Sequence, residues 1–397
     1  MVLSLFILIN AESNCLKAVL LKSFESFCIS KFINKFCTTF SMKVAIVTPF
    51  NDPEVGACVV RVRALKKYFL EKGAEVDVLA PKRKGASGKE RYASLRELFG
   101  KVFRGKYDLV IGTSPPLPHN FFALFAAKLR GSKFILDAKD DGYFLANTEE
   151  KKKSVKFRIY SFLRVLTYKF SDMTIYLTKE DLELEKKRYN LGEQLLVPNG
   201  SVEEVSFDQK SRVRIRKKAN FSTRDVVGCY NGSIGDEDIK GLLENSNGAK
   251  FIFVVTVSKD KYGKAERKFL QDLLKKYSPK SIVFENSSQK DLGKYISAAD
   301  YGALPWNDFM PTSIPVKLFD YISVGIPVIT KGYKNTAVER FHKENDIGYF
   351  TTLWSAFFNK VKIVKKKKID KNLSDKFLRK NYISKLFEEI EKKGWTK

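Results

Sequence analysis

Two charged residues about one helical turn apart, Lys317 and Asp320, sit where a phosphorylated ribose could be held. They lie in the stretch 299–332, ADYGALPWNDFMPTSIPVKLFDYISVGIPVITKG, in which short apolar runs at 301–304 and 326–329 bracket a helix-like segment at 315–323. Pro315 suits the first helical position, where a missing N–H leaves no bond unmade. Gly325 suits the far end, where a left-handed turn must precede the next strand. Strand, helix and strand in this order make a parallel crossover unit. Its helix would start at the carboxyl edge of the sheet, where unbonded N–H groups and the helix dipole favour an anion. Lys317 adds a full positive charge to that first turn. A diphosphate could rest there while Asp320 accepts hydrogen bonds from the ribose hydroxyls.

The rest of the chain supplies the frame for such a unit. Apolar runs at 44–47, 76–79, 109–111, 134–136, 174–177 and 195–197 alternate with helical patterns, of which 59–70, closed by Gly73, is the clearest. Near-continuous apolar strands separated by helices predict a parallel sheet covered on both faces. Pro198-Asn199-Gly200 breaks the series, and a charged stretch reaches Arg224 with little apolar content. A second series follows at 226–230, 251–255, 282–284, 301–304 and 326–329. The expectation is an α/β chain of two doubly wound domains, at 42–205 and 225–375, joined by a linker at 206–224. Residues 376–397 form a closing helix.

Composition narrows the function classes. At 397 residues the chain can bury two cores, and its net charge of +27 calls for a polyanionic neighbour. No zinc-finger spacing or RNA-binding aromatic signature is present, so an anionic membrane surface is preferred over nucleic acid. His119 and His342 are the only histidines, too few for a multi-histidine metal site. The acidic run Asp236-Glu237-Asp238 reads as solvated rather than as a Mg²⁺ site. Cys15, Cys28, Cys37, Cys58 and Cys229 include no CxxC pair and read as reduced thiols of a cytoplasmic protein. Residues 1–41 lack the basic start of a signal peptide, and their uncharged run is too short to span a bilayer. They read either as an extension outside the fold, with Met42 as the natural start, or as a short membrane-associating segment.

The ordered motifs resemble the retaining glycosyltransferases of family 4, which have the two-domain GT-B fold. MKVAIVTPF and the following loop with Gly56 look like that family's opening strand and turn. YDLVIGTSPPLPHN at 107–120 is similar to its fourth strand, and SDMTIYLT with LLVPNG to the end of its first domain. YNGSIGDEDIKG at 230–241 falls where the family has a glycine, arginine, lysine and glycine loop. The resemblance implies GT-B architecture, two Rossmann-like domains facing a cleft, and transfer of a hexosyl group with retention. It implies a nucleotide-diphosphate sugar, UDP- or GDP-linked, as co-substrate, with no metal and no other cofactor.

Carried over by position, the donor would meet Gly56, Gly232, Ser233, Lys240, Asn286, Thr312, Pro315, Val316, Lys317, Leu318 and Asp320. The helix start at 315–318 and Lys240 would face the diphosphate, and the turn at Asn286 would face the base. Two departures stand out. The loop arginine is missing, so Lys317, Ser233 and the Gly232 backbone would share its work. Of the family's two glutamates seven residues apart, the second is Asp320 and the first is Thr312. On the acceptor side stand Thr113, Ser114 and, offset from the family's histidine, His119. Asp140 or Asp141 is the candidate base for the acceptor hydroxyl, although a front-face mechanism lets the leaving phosphate take that proton.

The basic charge concentrates at 360–371 and at 151–170, KKKSVKFRIYSFLRVLTYKF. A helix over the latter places Val155, Ile159, Phe162, Leu163, Leu166 and Phe170 on one face and Lys153, Phe157, Tyr160, Arg164 and Tyr168 on the other. The expectation is that the first face packs on the sheet and the second meets an anionic membrane. The combined reading is a glycosyltransferase, cytoplasmic and peripheral on the inner face of the cell membrane, using a lipid-linked or surface-polysaccharide acceptor. The alternative readings are a sugar-nucleotide epimerase of the same fold and a donor-binding protein without turnover.

Overall fold

The computed structural model describes residues 42–51, 56–83, 88, 90–114, 117–139, 154–188, 192–234, 238–258, 261–307, 311–367 and 369–396. The segment 1–41, Asp140, Asp141, Lys153, Asp236 and Glu237 lie outside these.

The described strands form two all-parallel sheets. The first holds β1 (Lys43–Val47), β2 (Glu75–Pro81), β3 (Arg91–Tyr92), β4 (Leu109–Thr113), β5 (Lys133–Ala138), β6 (Met173–Tyr176) and β7 (Glu193–Leu196), in the order β3-β2-β1-β4-β5-β6-β7. The second holds β8 (Val227–Ser233), β9 (Lys250–Thr256), β10 (Ile282–Glu285), β11 (Tyr301–Pro305), β12 (Val328–Lys331) and β13 (Gly348–Thr351), in the order β10-β9-β8-β11-β12-β13. Strand order reverses between β1 and β4 and again between β8 and β11. Loops leaving such neighbours diverge to opposite faces, and the crevice between them is where open α/β sheets bind ligands.

Helices cover both faces. With the first sheet go α1 (Ala57–Glu71), α2 (Leu95–Gly105), α3 (Leu117–Arg130), α4 (Val155–Phe170) and α5 (Lys179–Arg188). With the second go α6 (Gln209–Lys218), α7 (Ile239–Glu244), α8 (Lys261–Tyr277), α9 (Gln289–Ser297), α10 (Val316–Val324), α11 (Ala337–Asn345), α12 (Trp354–Val361) and α13 (Lys371–Lys376). Covered on both sides, the central strands are buried along their length, as all five residues of β4 and of β11 are.

The stretch 206–224, read as a linker, belongs instead to the second domain. Asp208 caps α6 by accepting from Ser211 N at 3.0 Å, and Ile215 and Phe221 join the core that contains Val227 and Leu318. Its charges hid this: Arg212 and Arg216 both pair with Asp300, so these two arginines are structural. Two short strands, β3 and β13, carry no alternating or sustained apolar pattern and were not foreseen.

The last helix, α14 (Arg379–Lys392), returns to the first domain, where Phe387 meets Phe69 and Tyr68 edge-on and Ile383, Leu386 and Ile390 enter the core. Burying each such side chain contributes about 1.5–3 kcal/mol. The chain therefore crosses between the domains twice, at 198–202 and 377–379. Ser201 and Leu378 form a parallel bridge there, with Arg379 N donating to Ser201 O at 2.9 Å. Arg61 of α1 lies buried beneath the first crossing. It grips Asp137 with two nitrogens, at 2.8 and 2.9 Å, and the Val197 carbonyl at 3.1 Å.

Candidate active site

The second crevice is built by a helix that docks on the end of a strand. β8 and β11 pair only at Tyr301↔Gly228 and Gly302↔Cys229, whereas β8 continues beside β9 as far as Ser233↔Thr256. Beyond Cys229 the two central strands part, and Tyr321 of α10 fills the opening. Its hydroxyl accepts from Asn231 N at 3.0 Å and donates to Ala303 O at 3.5 Å. Gly302 is required below it, since a Cβ there would lie 2.2 Å from the Tyr321 ring.

Lys317 and Asp320, one turn and one residue before Tyr321, share its face of α10 and meet the same strand end. The Asn231 amide donates to Asp320 Oδ2 at 3.0 Å. Lys317 Nζ lies 4.9 Å from the Tyr230 ring centroid and against Gly232, where a Cβ would approach it to 2.3 Å. Gly232 has φ +146°, so its backbone too favours glycine. The lysine thus reaches the loop from which the arginine is missing.

Asp320 is buried, and burial pushes its carboxyl up to about 7. Arg379, the Asn231 hydrogen bond and Lys317 pull in the opposite direction. Arg379 is buried as well and is lowered to about 10, by burial first and then by Arg61. It donates to Gly200 O at 2.7 Å, which links the carboxylate environment to the domain crossing.

Helix α10 starts one residue later than expected. Pro315 is its N-cap, with φ −69° and ψ 143°, and Val316 its first residue. Proline offers no capping side chain, and no acidic residue occupies the first turn. The N-terminal end of the helix therefore keeps its affinity for an anion. Gly325 closes the helix in the left-handed conformation, φ 77°. Thr312 and Val316 are half-buried just before and at the helix start, and Leu318 is wholly in the core, so only its backbone could serve a ligand.

The other donor-side residues are more dispersed. Asn286 is exposed at the end of β10 with φ 50°, and its side chain accepts from Val257 N at 2.9 Å. Ser233 ends β8, its carbonyl accepting from the Tyr230 hydroxyl at 2.5 Å. Lys240, second residue of α7, is exposed and lies 3.8 Å from Glu244. Gly56 caps α1 with φ 132° and open space around its Cβ position.

At the first crevice Thr113 and Ser114 leave β4 and are buried. His119 Nδ1 lies 2.6 Å from the Tyr92 hydroxyl, and burial lowers its affinity for a proton. Thr113 Oγ1 and both amide atoms of Asn120 are buried without a hydrogen-bond partner among the described residues. The candidate bases Asp140 and Asp141 lie outside the described residues. Across the gap, Arg340 of α11 donates to Glu180 of α5 at 2.6 Å, so the carboxyl edges of the two sheets face each other.

The expectation for α4 is inverted. Arg164, Thr167 and Tyr168 are buried, whereas Val155 is 72% exposed, Phe162 62% and Ile159 55%. Arg164 pairs with Glu185 of α5 inside the domain, which turns the basic face inward and the apolar face out. Phe157 and Tyr160 are half-buried beside them, and Lys153 lies outside the described residues.

Sequence reasoning left Asn231, Tyr321 and Arg379 unassigned. The first stood in the quoted loop and the second beside Asp320. Nothing local marked Arg379, whose role depends on the domain crossing.

No family model matches the chain. It is 22% identical over 254 residues to the chitobiosyldiphosphodolichol beta-mannosyltransferase of Debaryomyces hansenii, covering 57% of this chain and 53% of that protein. The chain thus spans about half the length of the curated relative it matches. Among solved structures, Anabaena HepE in complex with UDP-glucose superposes with a TM-score of 0.64 at 11% identity, over 88% of this chain and 100% of that one. Sucrose-phosphate synthase from Thermosynechococcus elongatus gives 0.59 at 13%, over 88% and 98%. Two facing parallel-sheet domains with these neighbours establish the GT-B fold.

Proposed function

We propose that this protein is a glycosyltransferase of the family 4 type. It moves a hexosyl group from a UDP- or GDP-linked sugar to a lipid-linked or cell-surface glycan acceptor at an anionic membrane. The observation that carries the proposal is the docking of Lys317, Asp320 and Tyr321 onto the splayed end of β8. The arrangement offers a cation and a helix N-terminus to a diphosphate, with a carboxylate for a ribose in the same crevice. Charge that develops on the departing diphosphate is stabilised by groups already in place, the largest contribution such sites make. The mannosyltransferase relative, named for a dolichol-linked substrate, supports the lipid-linked acceptor. No helix among the described residues is long and apolar enough to cross a membrane.

The stereochemical course has a direct test. Family 4 resemblance favours retention, whereas a beta-mannosyl product made from an α-linked nucleotide sugar is an inversion. Incubation of the full chain with UDP- and GDP-sugars and short lipid-diphosphate glycans, followed by NMR of the product anomer, decides between them. Product of either anomer supports transfer. Free sugar released at the same rate without acceptor would replace the transferase with a hydrolase or epimerase.

A further inference from the structure

The apolar face of α4 is part of a larger surface. Helices α2, α3 and α4 pack side by side over one face of the first sheet. Beside Val155, Ile159 and Phe162, the exposed residues include Phe125 and Leu129 of α3 and Phe103 of α2. Exposed apolar side chains on three adjacent helices exceed the scatter normal for a soluble surface. The orientation is fixed from below, because Arg164 and Tyr168 are locked inside by Glu185 and by the guanidinium resting 5.2 Å from the Tyr168 ring.

Charge identifies the occupant. Glu97 is the only acidic residue in the three helices, against exposed Arg104, Arg130, Arg158 and Lys169. Two of these cations sit beside the exposed rings, Arg130 at 5.6 Å from Phe103 and Lys169 at 6.0 Å from Phe170. Rings and aliphatic groups fringed by cations, with almost no acid, suit the headgroup layer of an anionic bilayer. A nucleic acid would use the cations but leave Ile159, Leu129 and Val155 in water.

We infer that the α2–α3–α4 face docks on an anionic lipid bilayer, with Phe125, Leu129, Ile159 and Phe162 entering the interfacial layer. The N-termini of α3 and α4 lie at the carboxyl edge of the first sheet, the edge that faces the second domain. Docking along these helices therefore sets the mouth of the cleft beside the membrane. This deepens the proposal of a lipid-linked acceptor and rests on it for its purpose, while the docking chemistry is independent of it.

The test is co-sedimentation of the full chain with phosphatidylcholine vesicles, with and without phosphatidylglycerol. Wild type should pellet with the anionic vesicles only, and less at high salt. The double substitution Ile159→Ser with Phe162→Ser should weaken binding by about tenfold or more, with melting temperature and nucleotide binding unchanged. Failure of wild type to bind, or a double variant that binds like wild type, would overturn the inference. So would light scattering that shows a wild-type dimer, a monomeric variant and equal vesicle binding, because the face would then join two copies. Loss of vesicle binding in the variant of a protein that binds no nucleotide would uphold the docking face and remove the glycosyltransferase reading.

Discussion

Helices α4 and α10 break the ordinary rule of burial in opposite senses. In α10 a carboxylate, Asp320, is buried among Leu318, Phe319 and Ile322, while in α4 Phe162 and Ile159 stand in water. The difference lies in what each helix meets. Helix α10 lies over a crevice where β8 and β11 have parted, so backbone groups and the Asn231 amide are present to receive polar side chains. Helix α4 lies beside α5, whose Glu185 draws Arg164 inward and rotates the apolar residues out. Ordinary packing would require neither exception, and the two proposals above rest on them, one for a small polar ligand and one for a broad apolar surface.

The largest effect is expected at the buried ion pair beneath α4. Arg164→Ala leaves the Glu185 carboxylate buried and unpaired, a loss of about 3–5 kcal/mol in stability by denaturant titration. If the opposite face of α4 were the packed one, this substitution would be nearly silent.

On α10, Asp320→Asn retains the size of the side chain but removes its negative charge. Nucleotide affinity should fall by about 10–100-fold in calorimetry, the range for a lost hydrogen bond to a charged group. The same variant should alter the pH dependence of stability. The folded carboxyl sits at about 7, above its ordinary 3.8, so the native state holds the extra proton between these values. This group's contribution is therefore fully present at low pH and is lost as pH rises from about 4 through about 7. Denaturation of Asp320→Asn across that window should lack this component of the decline.

A smaller effect is expected at Gly232. Alanine there would place a Cβ 2.3 Å from Lys317 Nζ at φ +146°, displacing the lysine and straining the backbone by about 1–3 kcal/mol. Nucleotide affinity should weaken together with stability. The smallest change is Phe162→Ser, an exposed substitution that should shift stability by no more than about 0.5 kcal/mol. A loss as large as that of Arg164→Ala would mean that Phe162 is packed after all.

Apart from β3 and β13, the strands could be read from the sequence, as could the helix α10 and its closing Gly325, because each depends on its neighbours in the chain. Apolar runs with no polar alternation identify strands covered on both faces, and a proline and a glycine mark the helix ends. Orientation could not be read in the same way. α4 has large side chains around much of its circumference, and periodicity does not say which side finds a partner. That choice was made by Glu185, in another element. Asn231 and Arg379 were missed for the same reason, since their importance arises from a docked helix and from a second domain crossing. The stretch 206–224 misled through its charge: the arginines that suggested a solvated linker close an internal network on Asp300.

The most direct measurement is calorimetric titration of UDP and GDP into the full chain and its Lys317→Ala and Asp320→Asn variants. Saturable binding of at least one nucleotide, weakened about tenfold or more by each substitution, is the expected result. Binding of neither nucleotide, or equal binding by all three proteins, would contradict a donor site between α10 and β8.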